Sequence, residues 1–283
     1  MILLTALFNN ENLSGAITMN ASIDFSGLQS AVSGPQPPVV IDVRREPAFK
    51  AAADMIAGAL RREPSLVSSW AKELPSASRV VVYCVHGHEV SQNVASALNA
   101  SGITAHFLEG GIEEGWKTKK GELDHKPAGA STRWITRERP KIDRIACPWL
   151  INRFVDKAAE FLYVPTQQVL NEAKAHDAIP YDIPDVAFSH EGDLCSFDAF
   201  IKHFRLYDPA LDQLALIVRG ADTAKLDLAP QAPGLAAISL GLSRNFSDDH
   251  EMLKHGMVMY DALYTWCKQG REEIHTWNPG VYR

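Results

Sequence analysis

Val80-Val81-Val82-Tyr83-Cys84-Val85-His86-Gly87-His88-Glu89-Val90-Ser91 is the stretch that decides the fold class of this chain. The β-branched run from Arg79 to Tyr83 suits a strand buried on both faces of a parallel sheet. Cys84 stands at its carboxyl end, before a short loop with Gly87. A helix carried by Val94, Ala95, Ala97 and Leu98 follows, and Gly102 is placed to stop it. In an open α/β sheet, ligands bind outside the carboxyl ends of strands. There the amides of Val85, His86, Gly87, His88, Glu89 and Val90, with the positive end of the helix dipole, form an anion cradle. The segment therefore predicts a reactive thiolate at Cys84 facing an oxyanion or a persulfide. A buried structural thiol is the alternative.

Outward from Cys84 the same architecture repeats. Val39 to Val43 is a second short strand, and Leu66, Val67, Trp70 and Leu74 recur at helical spacing between the two. Thr104 to Leu108 is a third strand, ending at Gly110-Gly111, so the first half reads as a small βαβ domain. Lys117 to Ser131 is polar, holds two glycines and a proline, and lacks apolar periodicity, as a linker does. The expected division is a flexible N-terminal extension over 1–35, a parallel-sheet domain over 36–120, a linker over 121–131 and a second domain over 132–283. Met1 to Phe8 is apolar but short and has no basic flank, so it reads as neither a signal peptide nor a membrane span. The first 18 residues read as a floppy extension, with Met19 as a second possible start.

The first half resembles a single-domain rhodanese. The resemblance runs through Ile41-Asp42-Val43-Arg44, Arg45-Glu46-Pro47-Ala48-Phe49 and Ala57-Gly58-Ala59. It continues through Tyr83-Cys84-Val85-His86-Gly87-His88 and Leu108-Glu109-Gly110-Gly111-Ile112, with Trp116 behind. It implies that Cys84 accepts a sulfane sulfur as a persulfide and hands it to a thiol or other nucleophile, with no cofactor required. The chain departs from the pattern at Met55-Ile56, where many relatives carry a histidine. The loop also lacks the basic residue that follows the cysteine in many thiosulfate users. His86 and His88 stand there instead, either tuning the thiolate, binding substrate or simply solvated, and Glu89 disfavours anionic thiosulfate. Cys84 to Gly102 is one residue longer than in typical sulfurtransferases; phosphatases and arsenate reductases share a longer loop, and the helix is an alternative place for the extra residue. Asp42 and Arg44 read as a structural ion pair, because an unpaired charge at that strand end would be costly.

Composition bounds the remaining choices. At about 150 residues per domain, 283 residues suggest two domains, and 46% hydrophobic with 22% charged residues is ordinary for a globular protein. Four cysteines without a CxxC pair suggest a reducing compartment, and the expectation is a cytoplasmic protein. A net charge of −6 argues against bulk attraction to nucleic acid or anionic membranes.

The second half reads as mainly α-helical, with few strand signals. Phe197, Phe200, Ile201 and Phe204 form one apolar face behind an expected Ser196 N-cap, and Leu211, Leu214, Ala215 and Val218 form another. Ser247-Asp248-Asp249 opens a long helix. Arg133 to Arg144 packs five basic residues into twelve, which suits an oxyanion or nucleic-acid phosphate, or a domain entrance with salt bridges to Glu138 and Asp143. Ser189-His190-Glu191-Gly192-Asp193-Leu194-Cys195 suggests a metal held by His190 and Glu191, although the spacing matches no specific template. Arg219-Gly220-Ala221-Asp222-Thr223 reads as a turn with functional side chains or a salt bridge. Asp261 falls on an apolar helix face and needs a partner, with Arg219 and Arg244 as candidates. His255 and Glu251 read as an exposed helical pair.

This half resembles the C-terminal domain of the chromate-resistance proteins. The resemblance rests on Arg139-Pro140-Lys141-Ile142-Asp143-Arg144-Ile145-Ala146-Cys147-Pro148-Trp149, the Ser189–Asp198 cluster, Val218 to Thr223 and Gly256 to Tyr264. It implies a link to chromate resistance and to regulation of chromate-efflux operons. The expected function is a rhodanese-type sulfurtransferase tied to chromate or oxidative-stress resistance. The alternatives are a chromate-responsive regulator that binds DNA or a partner, and a metal-dependent enzyme seated in the second domain.

Overall fold

Val80 to Tyr83 forms a strand with every side chain buried, and the first sheet is assembled around it. The computed structural model describes residues 22–34, 36–74, 79–126 and 132–272. The first half runs β1 (Ser22–Ile23), α1 (Phe25–Val32), β2 (Val39–Asp42), α2 (Glu46–Ala51), β3 (Asp54–Ile56), β4 (Leu60–Arg61), α3 (Val67–Trp70), β5 (Val80–Tyr83), α4 (Glu89–Ala100), β6 (Ala105–Leu108) and β7 (Leu123–His125). Five of these strands form an all-parallel sheet in the order β1-β6-β5-β2-β4. Alternation along β5 sends Val80 and Val82 to the side of Val94 and Leu98 on α4, and Val81 and Tyr83 to the side of Leu108 and Ile112. A fully buried aliphatic side chain contributes roughly 1.5–3 kcal/mol, so both faces anchor the strand. Cys84, next in the alternation, falls on the α4 side.

Two expected boundaries move. The N-terminal extension is ordered from Ser22: β1 pairs with Phe107 and Leu108, and Asp24 caps α1 by accepting from the Gly27 amide at 2.8 Å. Leu28 of α1 is fully buried. Residues 1–21, with the expected floppy extension and Met19, lie outside the described residues. The expected linker also begins as structure, because β7 pairs antiparallel with β3 and the Lys126 amide donates to Ala53 O at 2.9 Å. Backbone pairing carries this strand, so its polar side chains leave no periodic signal.

The second half runs β8 (Arg133–Arg137), α5 (Asp143–Leu150), β9 (Glu160–Val164), α6 (Val169–Ala175), β10 (Ile179–Pro180), α7 (Ser196–Phe204), α8 (Pro209–Asp222), α9 (Ala232–Asn245) and α10 (Asp249–Thr265). It is mainly helical, but β10-β8-β9 form a second parallel sheet that the sequence did not disclose. Its central strand is the first part of the basic stretch. Trp134, Ile135 and Thr136 are buried between two partly exposed arginines, so the charges mask the strand. Ser196 is not the N-cap of α7; Cys195 holds that position, and Asp198 closes the capping box. Helix α10 crosses α5 at Gly256, where a Cβ would overlap the Ile145 side chain.

The two halves interlock. Arg62 donates to Phe154 O and Val155 O at 2.7 and 3.0 Å, and Arg205 donates to Ala57 O at 2.9 Å. Gly58 has φ +68, and a Cβ there would overlap His203 O, so only glycine fits. No helix among the described residues is long and apolar enough to cross a membrane.

Candidate functional site

Cys84 is 6% exposed at the carboxyl end of β5, with Sγ 3.2 Å from Ser91 Oγ in the first turn of α4. The loop from Val85 to His88 is held from behind by the turn at Gly110-Gly111. The Ile112 amide donates to Cys84 O at 3.0 Å and the Glu113 amide to Val85 O at 3.1 Å. A trans peptide points its N–H opposite to its C=O, so the amides of Val85 and His86 face away from that turn. Among the described residues, no acceptor pairs with the amides of Val85, His86, Gly87 or His88. These donors and the free amides of the α4 N-terminus form the expected cradle. Gly87 and Gly111, at φ +71 and +57, are pressed together so closely that a Cβ on Gly111 would lie 2.5 Å from Cys84 O.

The rim is acidic and partly paired. His86 Nδ1 lies 2.8 Å from Glu114 Oε1, and this contact holds the Glu114 carboxyl below its usual range. The His86 and His88 rings are 5.9 Å apart, and His88 takes the N-cap position without a side-chain cap. Glu89 is exposed, and Val90 lines an open cavity of about 270 Å³ together with Arg45, Ser65 and Asn93. Ser91 reaches the sulfur from the first turn of α4, and the sequence signals it only as a polar residue in the helix after the loop. Beneath the site, Asp42 and Arg44 pair as expected, with Arg44 Nη2 2.5 Å from Asp42 Oδ2. The Tyr83 hydroxyl donates to the same oxygen at 3.0 Å.

A second polar cluster occupies the carboxyl ends of the second sheet. His190 Nε2 lies 3.1 Å from Asp222 Oδ2, 3.3 Å from Asp143 Oδ2 and 3.5 Å from Asp182 Oδ1. Contact with Asp143 holds His190 up at about 9, while burial and then Asp143 push Asp222 up to about 8. Burial, followed by Asp143, also raises Asp182. Glu191 does not join His190. Its carboxylate is exposed and meets Lys202 Nζ at 2.9 Å, because the chain turns at the Glu191–Leu194 bridge. The three aspartates come from three separate segments, so local spacing could not reveal them. Burial, followed by Asp143, pushes the Cys147 and Cys195 thiols well up, as suits neutral core residues.

The basic stretch is largely spent on local structure. Arg133 pairs with Glu160, Arg137 and Arg144 with Asp182, and Arg139 with Asp249 and the Phe246 and Ser247 carbonyls. These partners differ from the expected Glu138 and Asp143. Arg219 pairs with Asp198 at 2.6 Å, at the end of α8 rather than in a turn. Asp261 is 44% exposed and takes Arg153 and the Trp149 indole, each at 2.8 Å, instead of Arg219 or Arg244. The hydrogen bond from Arg153 holds the Asp261 carboxyl below its usual range. His255 and Glu251 are an exposed helical pair at 3.6 Å.

Residues 27–119 match the rhodanese-like domain family, and residues 134–267 match the family described as ChrB, C-terminal domain. Protein ChrB of Cupriavidus metallidurans is 31% identical over 140 residues, covering 49% of this chain and 42% of that protein. The match thus spans less than half the length of this curated relative. Among solved structures, a rhodanese-related protein from Thermoplasma volcanium is 23% identical over 36% of this chain and 96% of its own, with a TM-score of 0.32. A thiosulfate sulfurtransferase from Pseudomonas aeruginosa is 15% identical over 66% of this chain and 48% of its own, with a TM-score of 0.36.

Proposed function

Because the chain joins a rhodanese-like domain to a ChrB C-terminal domain, we propose that it is a sulfurtransferase that carries a persulfide on Cys84. The Cys84 thiolate attacks the outer sulfur of a donor R–S–S⁻. A new S–S bond forms at Cys84, the donor S–S bond breaks, and its electron pair leaves with RS⁻. An acceptor thiolate then attacks the outer sulfur and Cys84 departs as thiolate, so no external oxidant or reductant enters. The observation that carries this reading is the unpaired amide loop at Cys84, with Ser91 Oγ 3.2 Å from the sulfur. These donors suit a terminal sulfur that bears negative charge. Glu89 and Glu114 on the rim oppose a dianionic donor such as thiosulfate and favour a low-charge persulfide.

The second domain then selects or presents the acceptor, in a reducing, cytoplasmic setting, and the activity serves chromate or oxidative-stress resistance. Intact-mass measurement after incubation with glutathione persulfide, and separately with thiosulfate, tests the chemistry. The full chain gains one sulfur atom from the persulfide donor and Cys84→Ser gains none. Failure of the wild-type chain to gain sulfur from either donor overturns the reading.

A further inference from the structure

We propose that Asp143, His190 and Asp222 form a binding site for one divalent transition-metal ion, in the class of Mn²⁺, Fe²⁺ or Zn²⁺. Their donor atoms lie within 4.8 Å of one another. A cation about 2.1 Å from each ligand needs donors roughly 3.0–3.5 Å apart by geometry, and the His190 contacts at 3.1 and 3.3 Å meet that requirement. Two carboxylates and an imidazole are a donor set of intermediate hardness, which suits these ions better than the all-oxygen shells of Ca²⁺ and Mg²⁺.

An independent observation points into the same space. Asp143 is 2% exposed, yet among the described residues its Oδ2 has no hydrogen-bond partner, with His190 Nε2 3.3 Å away as its ionic neighbour. A buried carboxylate oxygen left so is costly, and a cation would satisfy it. Asp182 already has its own partners, because Ser196 Oγ, Arg137 and Arg144 occupy its oxygens at 2.9, 2.7 and 3.2 Å. It therefore stands outside the ligand set, and its charge is matched by the arginines. Asp143 and Asp222 remain, and with both carboxyls ionised their two charges equal those of a divalent ion. The approach is open on one side, since His190 is 41% and Asp222 15% exposed. Coordination positions on that side face solvent.

Asp143 is set in place by its neighbour. Ile142 has φ +44, and it is clamped by Ser239 Oγ, which accepts its amide, and by the Tyr260 hydroxyl, which donates to its carbonyl, each at 2.8 Å. The site stands independently of the chemistry at Cys84.

The test uses the full chain, stripped with a chelator and titrated with Mn²⁺ followed by electron paramagnetic resonance, and with Zn²⁺ against a chromophoric chelator. One ion binds per chain, and Asp222→Asn and His190→Gln each weaken binding by about tenfold or more, while Glu191→Gln binds as the wild type does. Circular dichroism confirms that each variant is folded, and Asp222→Asn, at the end of α8, keeps the shape of the side chain it replaces. Absence of stoichiometric binding of both ions to the wild-type chain overturns the proposal. So does unchanged affinity in folded Asp222→Asn.

Discussion

Arg44 is a cation with only 2% of its side chain exposed, and it persists there because Asp42, itself fully buried, meets it through both carboxylate oxygens. Removing one partner of such a pair leaves an uncompensated buried charge, which costs about 3–5 kcal/mol. Arg44→Met is therefore expected to lower stability by that amount in urea unfolding, and adding Asp42→Asn, which removes the charge but keeps an acceptor for the Tyr83 hydroxyl, is expected to restore part of it. An Arg44→Met chain as stable as the wild type would show that the pair contributes nothing. This pairing was legible from sequence because acid and base stand two residues apart at the end of one strand. The partner of Asp261 was not. Arg153 reaches it from the segment after α5, and only the crossing of α10 over that region selects Arg153 over Arg219 or Arg244.

At the scale of elements, the Cys84 loop is shaped by a turn that lies over twenty residues later in the chain. Gly111→Ala would force an L side chain into a left-handed conformation, costing roughly 1–2 kcal/mol, and would also set a Cβ 2.5 Å from three backbone atoms of the loop. The expected result is a lower melting temperature together with loss of sulfur loading at Cys84. Gly102→Ala is the control. It has φ +82 but nothing within 4 Å of the added Cβ, so it carries only the backbone penalty and keeps loading intact. Equal loading in both variants would exclude the turn as the brace of the loop. The strands β2, β5 and β6 were legible as apolar runs, and α4 as a stopped helix. Strands β7 and β8 were not, because one is held by backbone pairing alone and the other is flanked by arginines.

For the whole molecule, the two halves share one packed core rather than a simple tether. Val39, Leu60 and Trp70 of the first half belong to the same buried cluster as Trp134, Leu206 and Leu211 of the second. Calorimetry of the full chain is expected to show one cooperative transition. Gly58→Ala, which pushes against His203 O, is expected to split or broaden it. Two resolved transitions already in the wild type would mean that the junction carries little energy. The sequence alone determined the parallel-sheet half, the helical half and the placing of Cys84 at a strand end, because each is written in local periodicity and in motifs of adjacent residues. The tertiary structure alone decided that Asp143, Asp182 and Asp222 converge on His190 while Glu191 turns to Lys202. Those carboxylates lie on segments far apart in the chain, and long-range packing, which no local pattern encodes, brings each within 3.5 Å of the same imidazole.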